Sequence, residues 1–357
     1  MLKILIGFDY ELFLGDNYAD HREILIDTTR DILDLLKMNN VSATLFADVC
    51  CALQYKKYGQ VDFVNDFEDQ LISAQKNGFD VQLHIHSNWL NSSFDGKKWE
   101  ISPKGYRIHE FGFTNDGVEK IIKDGINYLN CILLEHDPDY KCIAYRAGGF
   151  SIQPHSELVK ILRNNGIVID SSVCMHQYIK SNANNYDFRK LPSKMNWWLT
   201  ANQDFTYEGK PSEGGVFEVP LCSDRGSLLK RIILGKGKMV LPYVEAKGSY
   251  VKLDVSQKIN LSRLQGLLNY NKNYSLVSFD SMAPERIYST IKKIEKKYDT
   301  QHNDVYISII GHPKLCNKYV LDGMRQFVEK VKRHKNRFEF ITFRQLYYEL
   351  FGFNQIQ

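Results

Sequence analysis

The sequence predicts an α/β protein built on a largely parallel β-sheet or barrel. Short apolar runs of strand length alternate with segments whose apolar residues recur at the helical period, which is the pattern of βα units. The chain has 357 residues, 43% of them hydrophobic, so it is long enough to bury a large core. We find no internal repeat, low-complexity tract or linker in the sequence, and therefore expect one domain over 1–357, elaborated at about 175–300.

The alternation is regular in the first half of the chain. It predicts strands over 2–9, 42–47, 80–86, 142–146 and 166–170, and helices over 24–38, 61–76, 117–133 and after Pro154. Proline suits the first turn of a helix, where no backbone N–H is needed. The middle is less regular, with strands expected at 216–220, 250–255 and 275–280 and a helix at 261–270. Alternation returns with a strand at 305–311, a helix at 321–333 and a strand at 338–343.

Composition excludes several classes of protein. The 46 basic and 42 acidic residues give a net charge of +4, which is too balanced for a nucleic-acid-binding surface, and we expect no nucleic-acid partner. The seven cysteines form no CxxC pair and are odd in number, which favours reduced thiols and a cytoplasmic protein. The apolar opening is too short for a signal peptide, and no run approaches the ~18 apolar residues of a membrane span.

Pairs of potential metal ligands or bases close two of the predicted strands. Asp9 and Glu11 end the first strand, and His84 and His86 end the third. Residues i and i+2 of a strand point to the same face, so each pair is aimed in one direction. Neutral imidazoles leaving a strand in a His-x-His pattern are a common way to hold zinc or a related ion. The alternative interpretation is a solvated strand end, or a structural histidine.

Three further polar clusters close later strands. Arg146 precedes two glycines and can hold a catalytic carboxylate through a bidentate pair, although a surface arginine before a turn is the more common case. Asp170 ends the fifth predicted strand. His312 ends a later one, and a histidine held by a carboxylate can act as a general acid because its pKa lies near working pH. The carboxyl ends of parallel strands are where such folds place their chemistry.

In this order, the five clusters resemble the motifs of the NodB-homology polysaccharide deacetylases, carbohydrate esterase family four. The resemblance covers residues 1–173 and roughly 300–343, with most of the middle unmatched. It implies a distorted (β/α) barrel with about seven parallel strands. It also implies removal of acetyl groups from N-acetylated sugars with the help of a zinc-type divalent ion.

The resemblance implies a role for each motif residue. Asp9 resembles the general base of the family, and Arg146 the arginine that orients this base. Asp170 resembles the aspartate that tunes the acid, and His312 resembles the acid itself. Glu11 resembles the metal ligand of branches that carry the pattern Asp-x-Asp or Asp-x-Glu.

The second motif departs from the family pattern, which has a second histidine four positions after the first. His84 matches the first, but Asn88 stands at the second position, so His86 is the expected substitute. Whether His86 or Asn88 completes the site stays open at this point. We expect residues near these motifs to line the substrate site, namely Trp89, Asn88, Gly148 and Phe150.

The predicted function is therefore metal-dependent hydrolysis of an N-acyl amide, on an N-acylated sugar, nucleotide sugar or lipid-linked saccharide. Two alternatives are a catalytically silent barrel that binds glycan and a hydrolase of a non-sugar amide. The segment 228–238 interleaves apolar and basic residues, so it is either a membrane- or phosphate-contacting surface or, more simply, a buried helix with a solvated basic edge.

Overall fold

A computed structural model describes residues 1–14, 20–181, 183–225, 274–298 and 300–352. Nine strands form its main sheet: β1 (Leu2–Tyr10), β2 (Thr44–Asp48), β3 (Asp80–Ile85), β4 (Ala144–Ala147), β5 (Ile169–Asp170), β6 (Trp197–Leu199), β7 (Val216–Glu218), β8 (Val305–Gly311) and β9 (Phe338–Phe340). Three short two-stranded antiparallel sheets lie outside this sheet, formed by Ser93–Phe94 with Trp99–Glu100, Tyr178–Lys180 with Asn185–Asp187, and Ser223–Arg225 with Tyr274–Leu276.

Eight α-helices accompany these strands in the described part of the chain. They are α1 (Asp27–Met38), α2 (Val49–Lys57), α3 (Val61–Lys76), α4 (Val118–Leu133), α5 (His155–Asn164), α6 (Pro284–Lys297), α7 (Lys318–Lys332) and α8 (Phe343–Phe351). A short π-helical turn, Arg22–Ile26, leads into α1. Local chemistry sets several helix ends, since Asn317 accepts two backbone N–H groups at the start of α7 and Thr342 forms a capping box with Gln345 in α8.

The main sheet curls toward a barrel. Its order is β6-β7-β5-β4-β3-β2-β1-β8, and β9 also pairs with β1. The pairings are parallel except for β6 with β7. Closure runs through Leu221, just after β7, which forms isolated parallel bridges to Cys174 and to Ser308 of β8. Single bridges in place of a full ladder make the barrel distorted.

The structure confirms the predicted fold class. Helix α3 and strand β8 have the bounds that the sequence pattern predicts, and most other predicted elements differ by a few residues at their ends. Three helices were not predicted: α2, α6 and α8. The expectations for 228–238, 250–255 and 261–270 lie outside the described residues. Within the described ranges, no helix combines the length and apolar character needed to cross a membrane.

Arg146, on β4, is a charged side chain that lies wholly inside the barrel. Its guanidinium carbon lies 4.0 Å from the ring centre of Phe46 on β2, and the backbone of Gly7 in β1 passes close to both groups. A Cβ atom on Gly7 would fall 2.7 Å from Nη2 and 2.9 Å from Nη1 of this arginine. Glycine at position 7 is therefore required by the space that the guanidinium fills, because the backbone of β1 must pass directly beside it.

We expect Gly7→Ala to destabilise the protein by about 1–3 kcal/mol, because the added methyl group must displace a buried guanidinium. Gly323→Ala is the matched control. A Cβ at this position of α7 would have its nearest neighbour at 3.6 Å, so we expect a gain of about 0.5–1 kcal/mol from the higher helix propensity of alanine. Urea unfolding of the full chain measures both changes. Equal stabilities of Gly7→Ala and the wild type would contradict this packing.

Candidate active site and metal centre

The carboxyl ends of four parallel strands bring the predicted site residues together. Asp9 and Glu11 come from the end of β1, and His84 and His86 from the end of β3. In the sheet register Asp48 lies opposite His84, which in turn lies opposite Arg146. His312 follows β8 directly, and β8 pairs with β1 up to Phe8. Strand register therefore explains why residues so distant in sequence meet.

Glu11, His84 and His86 form a buried group whose ligand atoms all lie within 4.8 Å of one another. Oε2 of Glu11 lies 3.3 Å from Nε2 of His84 and also contacts Nε2 of His86. The two imidazole rings are nearly perpendicular, with centres 4.8 Å apart. One carboxylate and two imidazoles match the donor set that zinc and related ions prefer.

The surroundings of the two histidines fit a metal site. Nδ1 of His84 donates to the carbonyl oxygen of Arg146 at 2.7 Å, which orients the ring so that Nε2 faces Glu11. The backbone N–H of His86 donates to Oδ1 of the buried Asp48. Gly148 lies so close to His86 that a Cβ there would fall 2.9 Å from Nδ1 of the ring. Both imidazoles are thus held by neighbouring groups.

Asn88 is fully buried, and neither polar atom of its side-chain amide has a hydrogen-bond partner among the described residues. A buried amide without partners is costly, so this group has an unused capacity to bind. The structure brings His86 into the group with Glu11, whereas the Asn88 amide stays unpaired.

Asp9 and Arg146 form a buried ion pair, with Nη1 of the arginine 2.6 Å from Oδ1 of the aspartate. Other atoms of the guanidinium donate to the carbonyl and hydroxyl oxygens of Ser171 and to the hydroxyl of Ser308. The second carboxylate oxygen of Asp9, Oδ2, is left facing His84 at 3.9 Å and His312 at 3.6 Å. Arg146 thus fixes one oxygen of the carboxylate and leaves the other directed into the site.

His312 is held by Asp280, not by the Asp170 that the family resemblance implied. Nδ1 of His312 lies 2.7 Å from Oδ2 of Asp280, and the backbone N–H of His312 donates to Oδ1 of the same residue. The carboxylate of Asp170 instead accepts hydrogen bonds from the backbone N–H and the hydroxyl of Ser172. Asp280 lies just beyond Ser278, which bridges to Ile310 of β8, and this places it beside His312.

Charges within the site shift several pKa values. Burial alone would raise the pKa of Asp9, but Arg146 and the two histidines near it lower this pKa below its usual value. Glu11 is also buried, yet Lys314 and His86 hold the pKa of its carboxyl well below the ordinary range. Burial would lower the pKa of His84, whereas Asp9 and Glu11 raise it to about 9. Both carboxylates are therefore ionised at neutral pH.

The pKa of His312 is raised. Burial opposes this change, and the adjacent carboxylate of Asp280 outweighs it. Since a raised pKa keeps the imidazole protonated to higher pH, His312 is suited to donate a proton near neutral pH.

The structure corrects one expected substrate contact. Trp89 is completely buried, and its ring lies edge-on to Tyr55 at 5.8 Å and to Trp99 at 5.4 Å. It packs into the core beneath the loop that follows β3, which leaves no exposed ring face for a sugar. Phe150 is partly exposed, so its place in substrate binding stays a prediction. Gly148, which was also expected to line the substrate site, packs closely against the ring of His86.

Asp170 belongs to a second buried acidic pair, with Glu218 of β7 opposite it in the sheet. Burial and the neighbouring Asp170 raise the pKa of Glu218 well above its usual value, and burial also raises the pKa of Asp170. Two buried carboxyls this close cannot both ionise without a large cost, so Glu218 keeps its proton. Ser171, next to Asp170, binds Arg146, so this cluster supports the site through the arginine.

Two residues of the site were not predicted. Asp280 closes the predicted strand 275–280, so the rule that singled out the other carboxylates could have found it. Lys314 lies two residues after His312 and donates to Oε1 of Glu11 at 2.8 Å. Its sequence neighbourhood carries no signal for this contact, because the pairing depends on the short turn after β8.

No protein-family model matches the sequence, and no curated protein matches it. Among solved structures, the chain is similar to a protein from Parabacteroides distasonis that is provisionally named a glycoside hydrolase/deacetylase. The TM-score is 0.56 at 11% identity, covering 98% of this chain and 71% of that one. It is also similar to a protein from Mycobacterium smegmatis provisionally named a polysaccharide deacetylase, with a TM-score of 0.48 at 14% identity, covering 97% and 88%. At 11% identity the likeness to the Parabacteroides distasonis structure shows the fold alone, and at that level it agrees with the resemblance drawn from the motifs.

We expect Glu218→Gln to flatten the dependence of stability on pH. Because the pKa of Glu218 is raised in the folded state, the folded protein holds a proton that the unfolded chain releases above its ordinary pKa. Wild-type stability should therefore fall as pH rises above about 4.3, by up to about 1.4 kcal/mol per pH unit, until the folded-state pKa is passed. The neutral amide in Glu218→Gln has no proton to release, so this loss of stability should disappear.

Urea unfolding between pH 5 and 8 measures the free energy of unfolding of both proteins, with the exposed Glu135→Gln as control. Parallel curves for Glu218→Gln and the wild type would contradict a protonated Glu218 in the folded state.

Proposed function

We propose that this chain is a divergent member of the polysaccharide deacetylase family that hydrolyses an N-acyl amide, chiefly N-acetyl, on a sugar or saccharide precursor. The observation that carries this proposal is one juxtaposition. A buried carboxylate–diimidazole group lies beside a base held by an arginine and an acid held by a carboxylate. Hydrolysis of an amide requires a proton acceptor for water and a proton donor for the leaving amine, and this site has both.

Glu11, His84 and His86 would hold a divalent metal ion, which we propose to be zinc. Such an ion, when bound, polarises the amide carbonyl and lowers the pKa of water. The three residues come from the ends of β1 and β3, which flank β2 in the sheet, and their contacts to Lys314, Arg146 and Asp48 fix their orientations. Outer contacts of this kind are what give metal ligands a single geometry.

Asp9 would accept the proton of the attacking water. The ion pair with Arg146 keeps the carboxylate charged and fixes Oδ1, so Oδ2 is the oxygen available to take a proton. The burial of Asp9 removes competing bulk water. Arg146 contributes by orientation, because its guanidinium donates to Asp9, Ser171 and Ser308 and is held in place by them.

His312 would protonate the departing amine. Asp280 accepts from Nδ1, which fixes the ring and leaves Nε2 as the proton donor. Nε2 lies 3.6 Å from Oδ2 of Asp9 and 3.6 Å from Oε1 of Glu11, so the acid and base share one small space. A scissile C–N bond placed there is within reach of both groups.

A cytoplasmic setting and a soluble or lipid-linked precursor are part of this proposal. All seven cysteines are free thiols, and six of them are buried, which is typical of a reducing compartment. A nucleotide sugar or a lipid-linked saccharide is the substrate class that a cytoplasmic deacetylase would meet, and saccharide biosynthesis is the corresponding process.

Zinc analysis of the purified full chain, combined with turnover of a panel of N-acetylated sugars and nucleotide sugars, tests the function. We expect close to one zinc ion per chain, release of acetate, and loss of activity by roughly 10²–10⁴-fold in Asp9→Asn with zinc retained. Bound zinc without turnover of any N-acyl substrate would favour a silent glycan-binding barrel. Turnover confined to non-sugar amides would overturn the substrate class.

The ligand set is tested by the same metal analysis on His86→Ala and Asn88→Ala. We expect zinc affinity to fall by more than about 100-fold in His86→Ala, since loss of a direct ligand should cost more than loss of an outer-sphere partner. Asn88→Ala should stay within a few-fold of the wild type. The reverse order would assign the ligand role to Asn88.

The role of Asp280 predicts a shift in the pH–rate profile. The raised pKa of His312 means that the acid stays protonated, and kcat stays high, until pH rises through that pKa. Asp280→Asn should move the alkaline limb to lower pH and reduce kcat by about 10- to 100-fold. Asp170→Asn is the matched control, and its alkaline limb should not move. A shift in Asp170→Asn alone would restore the role that the family resemblance implied.

A further inference from the structure

Lys314 is a cation at the site that the proposed reaction does not use. Its ammonium group donates to Oε1 of Glu11 at 2.8 Å and to the carbonyl oxygen of Leu12 at 3.0 Å. It lies 5.3 Å from the ring centre of Phe13, and the side chain is only 11% exposed. Such a nearly buried lysine is held in place by the strand end that carries Glu11.

The two oxygens of Glu11 face different partners. Oε2 is directed at His84 and His86, whereas Oε1 is held by Lys314. Since an ammonium occupies Oε1, only Oε2 is presented to the two imidazoles. Glu11 would then bind a metal ion through Oε2 alone, while the negative charge on Oε1 is compensated by the ammonium group of Lys314.

Glu11 also belongs to a second group with the character of a metal site, and its Oε1 faces His312 there. Ligand atoms of Asp9, Glu11 and His312 all lie within 4.8 Å of one another. Nε2 of His312 lies 3.6 Å from Oε1 of Glu11 and 3.6 Å from Oδ2 of Asp9. Two carboxylates and an imidazole this close would attract a divalent ion, which would block both the base and the acid.

We propose that Lys314 is a positioning residue that reserves Oε1 of Glu11, so that one metal ion binds at Glu11, His84 and His86 and none binds at Asp9, Glu11 and His312. The inference rests on the proposed function, since it concerns the same metal centre. Its physical basis is charge and geometry together. The ammonium compensates Glu11 in the way a second ion would, and its own positive charge repels a second ion from that position.

The turn after β8 makes this placement specific. The three-residue 3₁₀ turn Pro313–Leu315 follows His312 directly, and the N–H of Leu315 donates to the carbonyl of His312 at 2.9 Å. Lys314 and His312 therefore reach Glu11 from one short rigid segment. The acid and the cation that protects it from a second ion are supplied by the same turn.

The test is the metal stoichiometry and the cobalt spectrum of the purified full chain, titrated with Zn²⁺ or Co²⁺ alone. We expect about one ion per chain in the wild type and in Lys314→Arg, which keeps a cation and a donor. Lys314→Met should rise to about two ions per chain, with a changed Co²⁺ absorption band. Lys314→Gln keeps a hydrogen-bond donor but no charge, so its metal stoichiometry should resemble that of Lys314→Met. It replaces Lys314→Met in the test if that variant does not fold. Lys318→Met, at an exposed position on α7, is the matched control.

Adding Asp9→Asn to Lys314→Met should return the stoichiometry to about one, because the second group then loses a carboxylate. One ion per chain with an unchanged cobalt spectrum in both Lys314→Met and Lys314→Gln would overturn the inference and leave the proposed function intact. A wild-type chain that binds no ion at all would instead overturn the proposed function. The two failures are therefore distinguishable.

Discussion

The buried ion pair between Arg146 and Asp9 is the interaction on which the rest of the site depends. A guanidinium with no exposed surface requires a compensating anion and acceptors for its N–H groups, because an unpaired buried charge costs several kcal/mol. Asp9 near the end of β1, Ser171 just after β5 and Ser308 in the middle of β8 supply them. Gly7 leaves room for the guanidinium because it has no side chain, and the ring of Phe46 packs against the guanidinium. The same contacts that satisfy the arginine thus align the strands that carry the chemistry.

Charge balance extends outward from this pair. Each carboxylate that faces the site is matched by a cationic or protonatable partner: Asp9 by Arg146, Glu11 by Lys314 and Asp280 by His312. Pairing lets two carboxylates and two imidazoles lie within a few ångströms inside a core that would otherwise exclude charge. It also leaves Asp9 and Glu11 each with one oxygen held by a cation and the other directed at a histidine.

Sequence patterns predicted the parts of this arrangement that depend on strand alternation. Asp9 with Glu11 and His84 with His86 follow from the i, i+2 rule at strand ends, and the fold class follows from alternating periods. The partner of His312 depends instead on which strand lies beside β8, which no local pattern contains. The contact to His312 that was expected from Asp170 is therefore made by Asp280, which lies in the irregular middle of the sequence. Helix α2 was missed because its apolar pattern is weak and it follows β2 without a break.

The two histidines at the end of β3 differ in spacing from the family pattern, in which the second histidine stands four positions after the first. A second histidine four positions after the first would be supplied by the 3₁₀ turn Ser87–Asn91, where this chain has Asn88. Here both imidazoles come from the end of β3, and alternation of the strand directs both Nε2 atoms at Oε2 of Glu11. That solution needs a small residue beside the second ring, which Gly148 provides, and an acceptor for the N–H of His86, which Asp48 provides. Glu11 lies two residues beyond Asp9 and His86 two residues beyond His84, and their side chains meet, so the proposed ligand set uses both positions at which this chain departs from the family pattern.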